Sequence, residues 1–448
     1  MQRVMIAGTG SGCGKTTVTC AVLSALHRRG IKVSAFKCGP DYIDPMFYRE
    51  ILQTPSHNLD SFFCDRDTLC NILDHESKDT DISIIEGVMG FYDGAEASAY
   101  QISEITETPV VLVVNCRGMK ESIGAMMNGF LQYQQQNRIS GFIFNQLPER
   151  LIPFAQQLCA KLNTLYFGCM PKHSYTLESR HLGLVTAAEI SDIYEKMHAL
   201  GALAEQYIDI DKMIHTPCPS LPLSQRQPIP KLHSHPVIAV ADDRAFCFRY
   251  SENIASLREI GCDIRYFSPL NDPYLPQADG LILCGGYPEL YAEQLSENQT
   301  MRQDIKKAIS YKMPVIAECG GFMYLHETMQ TESGKELTMA GVIRGKVFPT
   351  KKLQRFGYLT MQASADNLLC RAGETLKAHE FHYWESTDAG IGFTASKADG
   401  RIWKCCHISE TMYAGFPHLY FPSDVLIALR FAAACARFGG KDDSFTTD

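Results

Sequence analysis

The feature that most constrains the fold is a glycine-rich stretch, "GTGSGCGKTT", near the start of the 448-residue chain. A short apolar run at residues 4–7 precedes it, and an amphipathic pattern at residues 16–29 follows it. A strand, a glycine turn and a helix in this order direct backbone N–H groups and the positive end of the helix dipole at one point. The stretch therefore predicts a phosphate-binding loop within an α/β fold.

This loop is one residue longer than the usual motif, G-x-x-x-x-G-K-[ST]. Gly14, Lys15 and Thr16 close the motif, but the residue five places before Gly14 is Thr9, and the glycine is Gly8. A wider loop can still surround a phosphate, so we expect Lys15 to reach the β- and γ-phosphates of a nucleotide. A turn of a dinucleotide-binding fold is the alternative, which Gly-Lys-Thr-Thr at the helix start disfavours. The predicted ATP-binding residues are Gly8, Thr9, Gly10, Ser11, Gly12, Cys13, Gly14, Lys15, Thr16 and Thr17.

Short apolar runs alternate with longer mixed segments through the first half of the chain, which is typical of a parallel sheet covered by helices on both faces. Six prolines between residues 217 and 236 interrupt this pattern. An α/β pattern restarts at residue 237 and becomes richer in strands past residue 341. We predict an α/β protein with a P-loop domain at 1–212, a proline-rich linker at 213–236, a second α/β domain at 237–438 and a polar tail at 439–448.

The composition argues against several classes of protein. The net charge is −8 without a long basic run, whereas nucleic-acid binding needs a positive field. The sequence contains no run of 18 or more apolar residues, so we expect no membrane-spanning helix. Without a signal-peptide pattern, we expect a cytoplasmic protein whose 17 cysteines are reduced. The spacing of His379 and His382 around Glu380 does not match a zinc motif.

Two acidic segments follow predicted strands next to the P-loop. "KCGPDYIDP" comes after the second strand, and "IIEGVMGFYDG" contains the end of the third. Ligands of open α/β sheets bind at the carboxyl ends of the strands, where both segments lie. Capping and turn formation are the structural alternatives, but two such segments favour a functional site. The predicted substrate and carboxylate site is Lys37, Asp41, Tyr42, Asp44, Glu86 and Asp93, with Thr16, Asp41 and Glu86 as Mg²⁺ ligands.

The segment "PVIAECGGFMYL" predicts a nucleophile elbow, in which a strand ends at Cys319 and two glycines lead into a helix. A buried core thiol is the structural alternative, which the elbow context disfavours. A reactive thiolate needs a histidine partner. His418 in "GFPHLYF" is the first candidate, with His379 and His382 in "HEFHY" as alternatives. Backbone N–H groups of a predicted oxyanion hole come from Gly285, Gly286 and Gly320.

The order of these motifs resembles the cobyrinic acid a,c-diamide synthase family, the ATP-dependent corrinoid amidoligases. The motifs that support the resemblance extend over nearly the whole chain: "GTGSGCGKTT", "KCGPDYIDP", "EGVMGFYDG", "DDRAFCFRY", "GGYPELY", "AECGGFMYL", "HEFHY" and "PHLYF". The long P-loop on its own is similar to that of dethiobiotin synthetase. The resemblance implies a dethiobiotin-synthetase-like N-terminal domain and a class I-like glutamine amidotransferase domain.

The resemblance also implies residue roles and a reaction. Cys319 falls on the family's nucleophile and His418 on its base. Ordinary class I amidotransferases have glutamate two residues after that histidine, where this chain has Tyr420, so the group that orients His418 stays open. The implied reaction is ATP- and Mg²⁺-dependent amidation of the a and c carboxylates of cobyrinic acid, with glutamine or ammonia and an acyl phosphate, in cobalamin biosynthesis. Candidate contacts to this anionic substrate are Lys37, Lys172 and Arg180.

Two alternatives stay open at this point. The same chemistry on hydrogenobyrinic acid or nickel sirohydrochlorin would use the same motifs. A P-loop ATP switch or scaffold with an inactive amidase domain belongs to another class. The presence of Cys319 with His418, and of Glu86 with Asp93, disfavours that second alternative. The motifs specify neither the order of the two amidations nor an oligomeric state.

Overall fold

The computed structural model describes residues 1–94, 96–175, 179–180, 183–184, 192–224 and 228–446, without the side chains at 50, 51, 179, 180, 183 and 184. The chain divides into two compact units, Met1–Arg226 and Gln227–Asp448. This division lies inside the segment 213–236, for which the sequence predicts a linker. The individual domain boundaries stay predictions.

The first unit is built on a seven-stranded sheet. Its strands are β1 Gln2–Gly8, β2 Val33–Cys38, β3 Ser56–Leu59, β4 Ile82–Glu86, β5 Val110–Asn115, β6 Ile139–Asn145 and β7 Leu165–Met170. All pairs are parallel, in the order β3-β2-β4-β1-β5-β6-β7. Residues 4–7 of β1 are fully buried, as expected for a central strand covered on both faces. This parallel sheet confirms the α/β fold predicted for the first half.

Helices connect these strands. They are α1 Lys15–Arg28, α2 Ile43–Met46, α3 Arg66–His75, α4 Ala99–Ile105, α5 Glu121–Tyr133, α6 Ile152–Lys161, α7 Ile193–Tyr207 and α8 Ile210–Ile214. The unit also contains a π-helix at Phe47–Ile51 and a 3-10 helix at Glu149–Leu151. Two further strands, β8 Ser179–Arg180 and β9 Gly183–Leu184, pair with each other. Helix α1 packs against α7, where the Ser24 hydroxyl donates to the Met197 carbonyl at 2.9 Å. The helix that follows the P-loop is therefore anchored along its length.

The second unit has more and shorter strands. They are β10 Lys231–Leu232, β11 Val237–Ala241, β12 Asp263–Phe267, β13 Gly280–Leu283, β14 Val315–Glu318, β15 His326–Gln330, β16 Glu336–Thr338, β17 Ile343–Pro349, β18 Arg355–Ala363, β19 Thr375–His382, β20 Trp384–Ser386, β21 Phe393–Ser396, β22 Ile402–Cys405, β23 His407–Ser409, β24 Met412–Gly415, β25 His418–Leu419 and β26 Phe445–Thr446. Its helices are α9 Ser251–Ile260, α10 Ala292–Glu297, α11 Gln299–Ser310, α12 Gly320–Tyr324 and α13 Val425–Phe438, with 3-10 helices at Pro288–Tyr291 and Phe421–Ser423.

The central sheet of this unit has the order β12-β11-β13-β14-β24-β23 and is parallel except for the β23–β24 pair. Two further sheets have the orders β16-β15-β17-β20 and β22-β21-β18-β19-β25. Strands β10 and β26 pair with each other, although the sequence predicts irregular structure for both segments. Among the helices within the described residues, none is long and apolar enough to cross a membrane.

Candidate active sites

The P-loop connects the central strand β1 to helix α1. Gly14 precedes the helix with φ 97°, a left-handed conformation that glycine adopts without strain. No described side chain caps the helix N-terminus, so its N–H groups are available to an anion. The buried Lys15 side chain folds back over the loop, and its ammonium donates to the Gly10 carbonyl at 3.4 Å. The ten predicted loop residues thus lie in one strand–loop–helix unit.

A buried cluster of charges lies at the adjacent ends of β2 and β4. The Lys37 ammonium donates to Asp44 Oδ2 at 2.5 Å and to Glu86 Oε1 at 2.8 Å. The Thr16 hydroxyl of α1 donates to the same Glu86 oxygen at 2.7 Å and lies 3.3 Å from Asp44 Oδ2. Tyr48, which the sequence pattern did not indicate, donates to the other oxygen of Glu86. Four of the predicted residues therefore meet at the start of the P-loop helix.

The charges of this cluster are strongly coupled. Burial raises the pKa of Glu86, but the Lys37 ammonium and the hydrogen bonds from Lys37, Tyr48 and Thr16 outweigh burial and hold that pKa below its ordinary value. Burial lowers the pKa of Lys37, while Asp44 and Glu86 raise it well above the ordinary value. Burial, followed by the Asp41 carboxylate, raises the pKa of Asp44. Glu86 and Lys37 are therefore an ionised pair inside the fold.

Asp41 and Tyr42 lie at the edge of this cluster, just before α2. Asp41 Oδ1 accepts from the backbone N–H of Ile43 at 2.9 Å, while its Oδ2 lies 3.8 Å from Lys37 Nζ. Tyr42 is buried next to it. Asp41 thus accepts backbone hydrogen bonds in the turn that begins α2, as a turn-forming aspartate would, and it also adds a carboxylate to the cluster.

Asp93 has a different environment from the other predicted carboxylates. It is exposed, and its Oδ2 accepts from the backbone N–H of Gly90 at 3.0 Å in the turn after β4. The same turn contacts the P-loop through the Phe91 N–H, which donates to the Gly8 carbonyl at 2.8 Å. This contact to Gly90 is the one expected of a turn-forming aspartate.

A cavity of about 1210 Å³ opens beside the P-loop and is lined in part by Gly12, Gly14 and Thr17. Its lining also includes four basic residues, Arg117, Lys120, Arg150 and Lys172. Lys172, predicted for the macrocyclic substrate, therefore lies on the P-loop side of the unit, while the Arg180 side chain lies outside the described residues. The other three bases are dispersed along the sequence, so no motif indicated them.

Asn145, at the end of β6, is a further residue that the sequence did not indicate. Its amide nitrogen donates to the Cys13 carbonyl at 2.9 Å, and a β-carbon on Gly14 would lie 2.0 Å from that nitrogen. Asn145 also lines the P-loop cavity. Asn145 therefore helps to fix the loop conformation from the β5–β6 side of β1, whereas the Lys37–Glu86 cluster lies on the β2–β4 side.

In the second unit, Cys319 lies between the end of β14 and the start of α12. Its backbone has φ 45° and ψ −102°, a conformation that non-glycine residues rarely adopt. The Cys319 N–H donates to the Gly415 carbonyl at 2.8 Å, which continues the β14–β24 pairing up to the turn. Such strain is typical of functional positions, and this backbone geometry is that of the predicted elbow.

His418 is the histidine that the fold brings to this cysteine. Its Nδ1 lies 3.6 Å from Oε2 of Glu318, longer than a hydrogen bond but within ion-pair range. Burial lowers the pKa of His418, but its interactions with the Cys319 side chain and with the Glu318 carboxylate outweigh burial and raise that pKa to about 10. The site therefore favours an imidazolium beside the sulfur.

The alternative histidines have other surroundings. His379 lies directly opposite His418 in the β19–β25 pairing, and its ring contacts Tyr358. Burial lowers the pKa of His379 to about 3. His382 stacks on Phe416 with 3.9 Å between ring centroids, and burial lowers its pKa to about 4. Both rings are neutral near pH 7 and pack within the five-stranded sheet.

The three glycines predicted for the oxyanion hole lie next to this pair. A β-carbon on Gly285 would lie 2.5 Å from His418 Cε1, so the imidazole packs directly against this backbone. A β-carbon on Gly320 would lie 3.0 Å from the Gly286 backbone nitrogen. The structure thus brings both predicted segments to the nucleophile, while their role in oxyanion binding stays a prediction.

Two family models match the chain, one in each unit. The CobQ/CobB/MinD/ParA nucleotide binding domain matches residues 4–184, and the CobB/CobQ-like glutamine amidotransferase domain matches residues 237–424. A nucleotide-binding domain and a glutamine amidotransferase domain in one chain, with the geometry above, define a glutamine-hydrolysing carbon–nitrogen ligase. The fold class, including the amidotransferase domain, is therefore confirmed.

Curated relatives extend over nearly the whole chain. Cobyrinate a,c-diamide synthase of Caldanaerobacter subterraneus subsp. tengcongensis is 37% identical over 98% of this chain and 99% of the relative. The proteins of that name from Listeria innocua and Thermoplasma volcanium are 35% and 36% identical over 98% of this chain. The chain belongs to the cobyrinate a,c-diamide synthase family, as its motifs predicted. The solved structure of PurLQS from Thermotoga maritima aligns with a TM-score of 0.33 at 15% identity over 46% of this chain and 99% of that chain, which is too weak a likeness to carry an argument.

Proposed function

We propose that this chain uses ATP and glutamine to convert the a and c carboxylates of cobyrinic acid into amides. The observation that supports this most is the pairing of Cys319, at a strained elbow, with the imidazole of His418, in a chain that also has a P-loop beside the Lys37–Glu86 pair. The first is suited to release ammonia, and the second to activate a carboxylate with a nucleotide. A ligase of this class needs both.

In the glutaminase half, the Cys319 thiolate attacks the side-chain amide carbon of glutamine and forms a C–S bond. The imidazolium of His418 gives its proton to the nitrogen as the C–N bond breaks, and ammonia leaves. Neutral His418 then takes a proton from water, which attacks the thioester carbon; the C–S bond breaks, glutamate leaves, and the Cys319 thiolate and His418 imidazolium are restored. The Gly286 and Gly320 N–H groups stabilise the oxyanion of each tetrahedral step.

In the synthetase half, a substrate carboxylate oxygen attacks the γ-phosphorus of ATP, which gives an acyl phosphate and ADP. Ammonia then attacks the acyl carbon, phosphate leaves, and loss of a proton gives the amide. Lys15 neutralises charge on the β- and γ-phosphates during transfer. Lys37, Lys172 and Arg180 remain predicted contacts for the anionic macrocycle.

The donors around Thr16 are suited to Mg²⁺. The carboxyl groups of Asp41, Asp44 and Glu86 surround a single ammonium, so the site is rich in the oxygen ligands that Mg²⁺ takes. Within the described residues, no three His, Cys, Asp or Glu side chains form a metal site on their own, but Mg²⁺ normally takes one or two carboxylates and completes its shell with phosphates and water. Thr16, Asp41 and Glu86 would hold the ion, which neutralises phosphate charge when bound.

The test is an assay of the full chain with ATP, Mg²⁺, glutamine and cobyrinic acid, in which mass spectrometry counts the amides formed. We expect two amides per macrocycle and none without ATP. Hydrogenobyrinic acid and nickel sirohydrochlorin are then added in competition, and faster amidation of either would replace cobyrinic acid as the substrate. Absence of ATP-dependent amidation with all three macrocycles, with either nitrogen source, would favour the scaffold alternative.

A further inference from the structure

His418 lacks the acidic partner that would be expected two residues after it in sequence. That position is Tyr420, whose buried ring packs edge-on against Tyr250 with 4.9 Å between ring centroids. A histidine that works as an acid and base needs a group that fixes its orientation and stabilises its charged form. The partner of His418 must therefore come from elsewhere in the fold.

Glu318 is in position to be that partner. It is the last residue of β14, is 6% exposed, and directly precedes the nucleophile. Its Oε2 lies 3.6 Å from His418 Nδ1, and its Oε1 accepts from the Leu419 backbone N–H at 3.0 Å. One carboxylate thus contacts both the imidazole and the backbone of the residue that follows it.

Within the part of the chain that the structure describes, the ionisable neighbours of His418 besides Glu318 include Cys319, His379, His382 and Glu380. Cys319 is the nucleophile itself. His379 and His382 on β19 are neutral near pH 7 because burial lowers their pKa values to about 3 and about 4. Glu380, also on β19, influences His418 electrostatically, but burial raises the pKa of this carboxyl to about 7. Among these neighbours, Glu318 is the carboxylate at ion-pair distance.

We propose that Glu318 is the positioning residue of the glutaminase site, holding the imidazole of His418 toward Cys319 and stabilising its protonated form. The backbone contact to Leu419 places the carboxylate, and its second oxygen then faces the ring. The residue before the nucleophile thus replaces the glutamate of ordinary class I amidotransferases. This inference rests on the proposed glutaminase role of Cys319 and His418.

The first test is a titration that needs no turnover. Iodoacetamide alkylation of Cys319 in the full chain is followed by peptide mass spectrometry from pH 5 to 11, because the thiolate gains nucleophilicity when the neighbouring imidazolium loses its proton. The variant Glu318→Gln keeps an oxygen for the Leu419 N–H but removes the charge. We expect the alkaline step to move down by ~1–2 pH units, within the shift of ~1–3 units that an opposite charge at ion-pair distance produces. Glu374→Gln, which removes a carboxylate paired with Arg430, is the matched control and should not shift it.

The second test separates positioning from folding. We expect Glu318→Gln to reduce kcat for glutamine hydrolysis by ~10–100-fold, less than the ~10²–10⁴ that a complete acid–base group contributes, with little change in KM. Amidation with ammonium should be unchanged, and Glu318→Asp should recover part of the rate and part of the titration shift. An unshifted alkaline step, or equal loss with glutamine and ammonium, would overturn the proposal. If the wild-type chain forms no amide, the proposed function fails. The alkylation titration is independent of that result, because it measures whether the charge of Glu318 stabilises the protonated form of His418.

Discussion

A methyl group at position 285 should damage the glutaminase site by displacing His418, with the chemical nature of every reacting side chain unchanged. A β-carbon there would lie 2.5 Å from His418 Cε1 and 3.3 Å from His418 Nδ1, whereas ordinary contact begins at 3.4 Å. The imidazole must therefore move by about 0.9 Å, the difference between 2.5 and 3.4 Å. Displacement of a catalytic group by ~1 Å costs up to ~10²-fold in rate, and overpacking of this kind destabilises by ~1–3 kcal/mol.

We expect Gly285→Ala to lower kcat for glutamine hydrolysis by about 10²-fold and to leave ammonium-dependent amidation near the wild-type rate. Glutamate release and amide formation are measured on the same preparation with each nitrogen source. Gly129→Ala is the control, because a β-carbon at that helical position meets nothing within 4 Å. Wild-type glutamine hydrolysis by Gly285→Ala would refute the close packing of His418 against this backbone and the importance of its exact placement for the reaction.

The remaining predictions assign the two halves of the reaction. Lys15→Ala should reduce amidation by at least ~10²–10³-fold through loss of charge stabilisation, with alkylation of Cys319 unchanged; near-normal amidation would refute the P-loop assignment. Glu86→Gln should impair amidation with ammonium as much as with glutamine. A defect confined to glutamine would mean that Glu86 acts in the glutaminase half and not in the synthetase half. Cys319→Ala and His418→Ala should lose glutamine-dependent amidation but keep ATP-dependent amidation with ammonium at alkaline pH. His379→Ala should not show this selective loss, and an interchange of the His379 and His418 results would contradict the assigned pair.

Local sequence determined the two turns on which the sites are built. Gly14 with φ 97° ahead of a helix, and Cys319 between a buried strand and two glycines, are features of neighbouring residues, since backbone conformation depends mainly on side chains close in sequence. The period of the apolar residues likewise indicated six of the seven strands of the first sheet and β11 to β14 of the second. The short strand β3 was missed, because its polar residues Ser56, His57 and Asn58 are buried without an apolar pattern.

Contacts between distant segments were decided only by the tertiary structure. The sequence left three histidines as partners of Cys319, and the fold selects His418 because it follows β24, the strand that pairs with β14 just before Cys319. Lys37 meets Glu86 across 49 positions of sequence because the parallel strands β2 and β4 bring their carboxyl ends together at one edge of a sheet. Glu318 meets His418 across 100 positions because β14 ends beside its parallel neighbour β24, and His418 follows β24. A motif specifies the backbone around a residue, whereas a pair of charges depends on which strands become neighbours, and only the folded chain determines that.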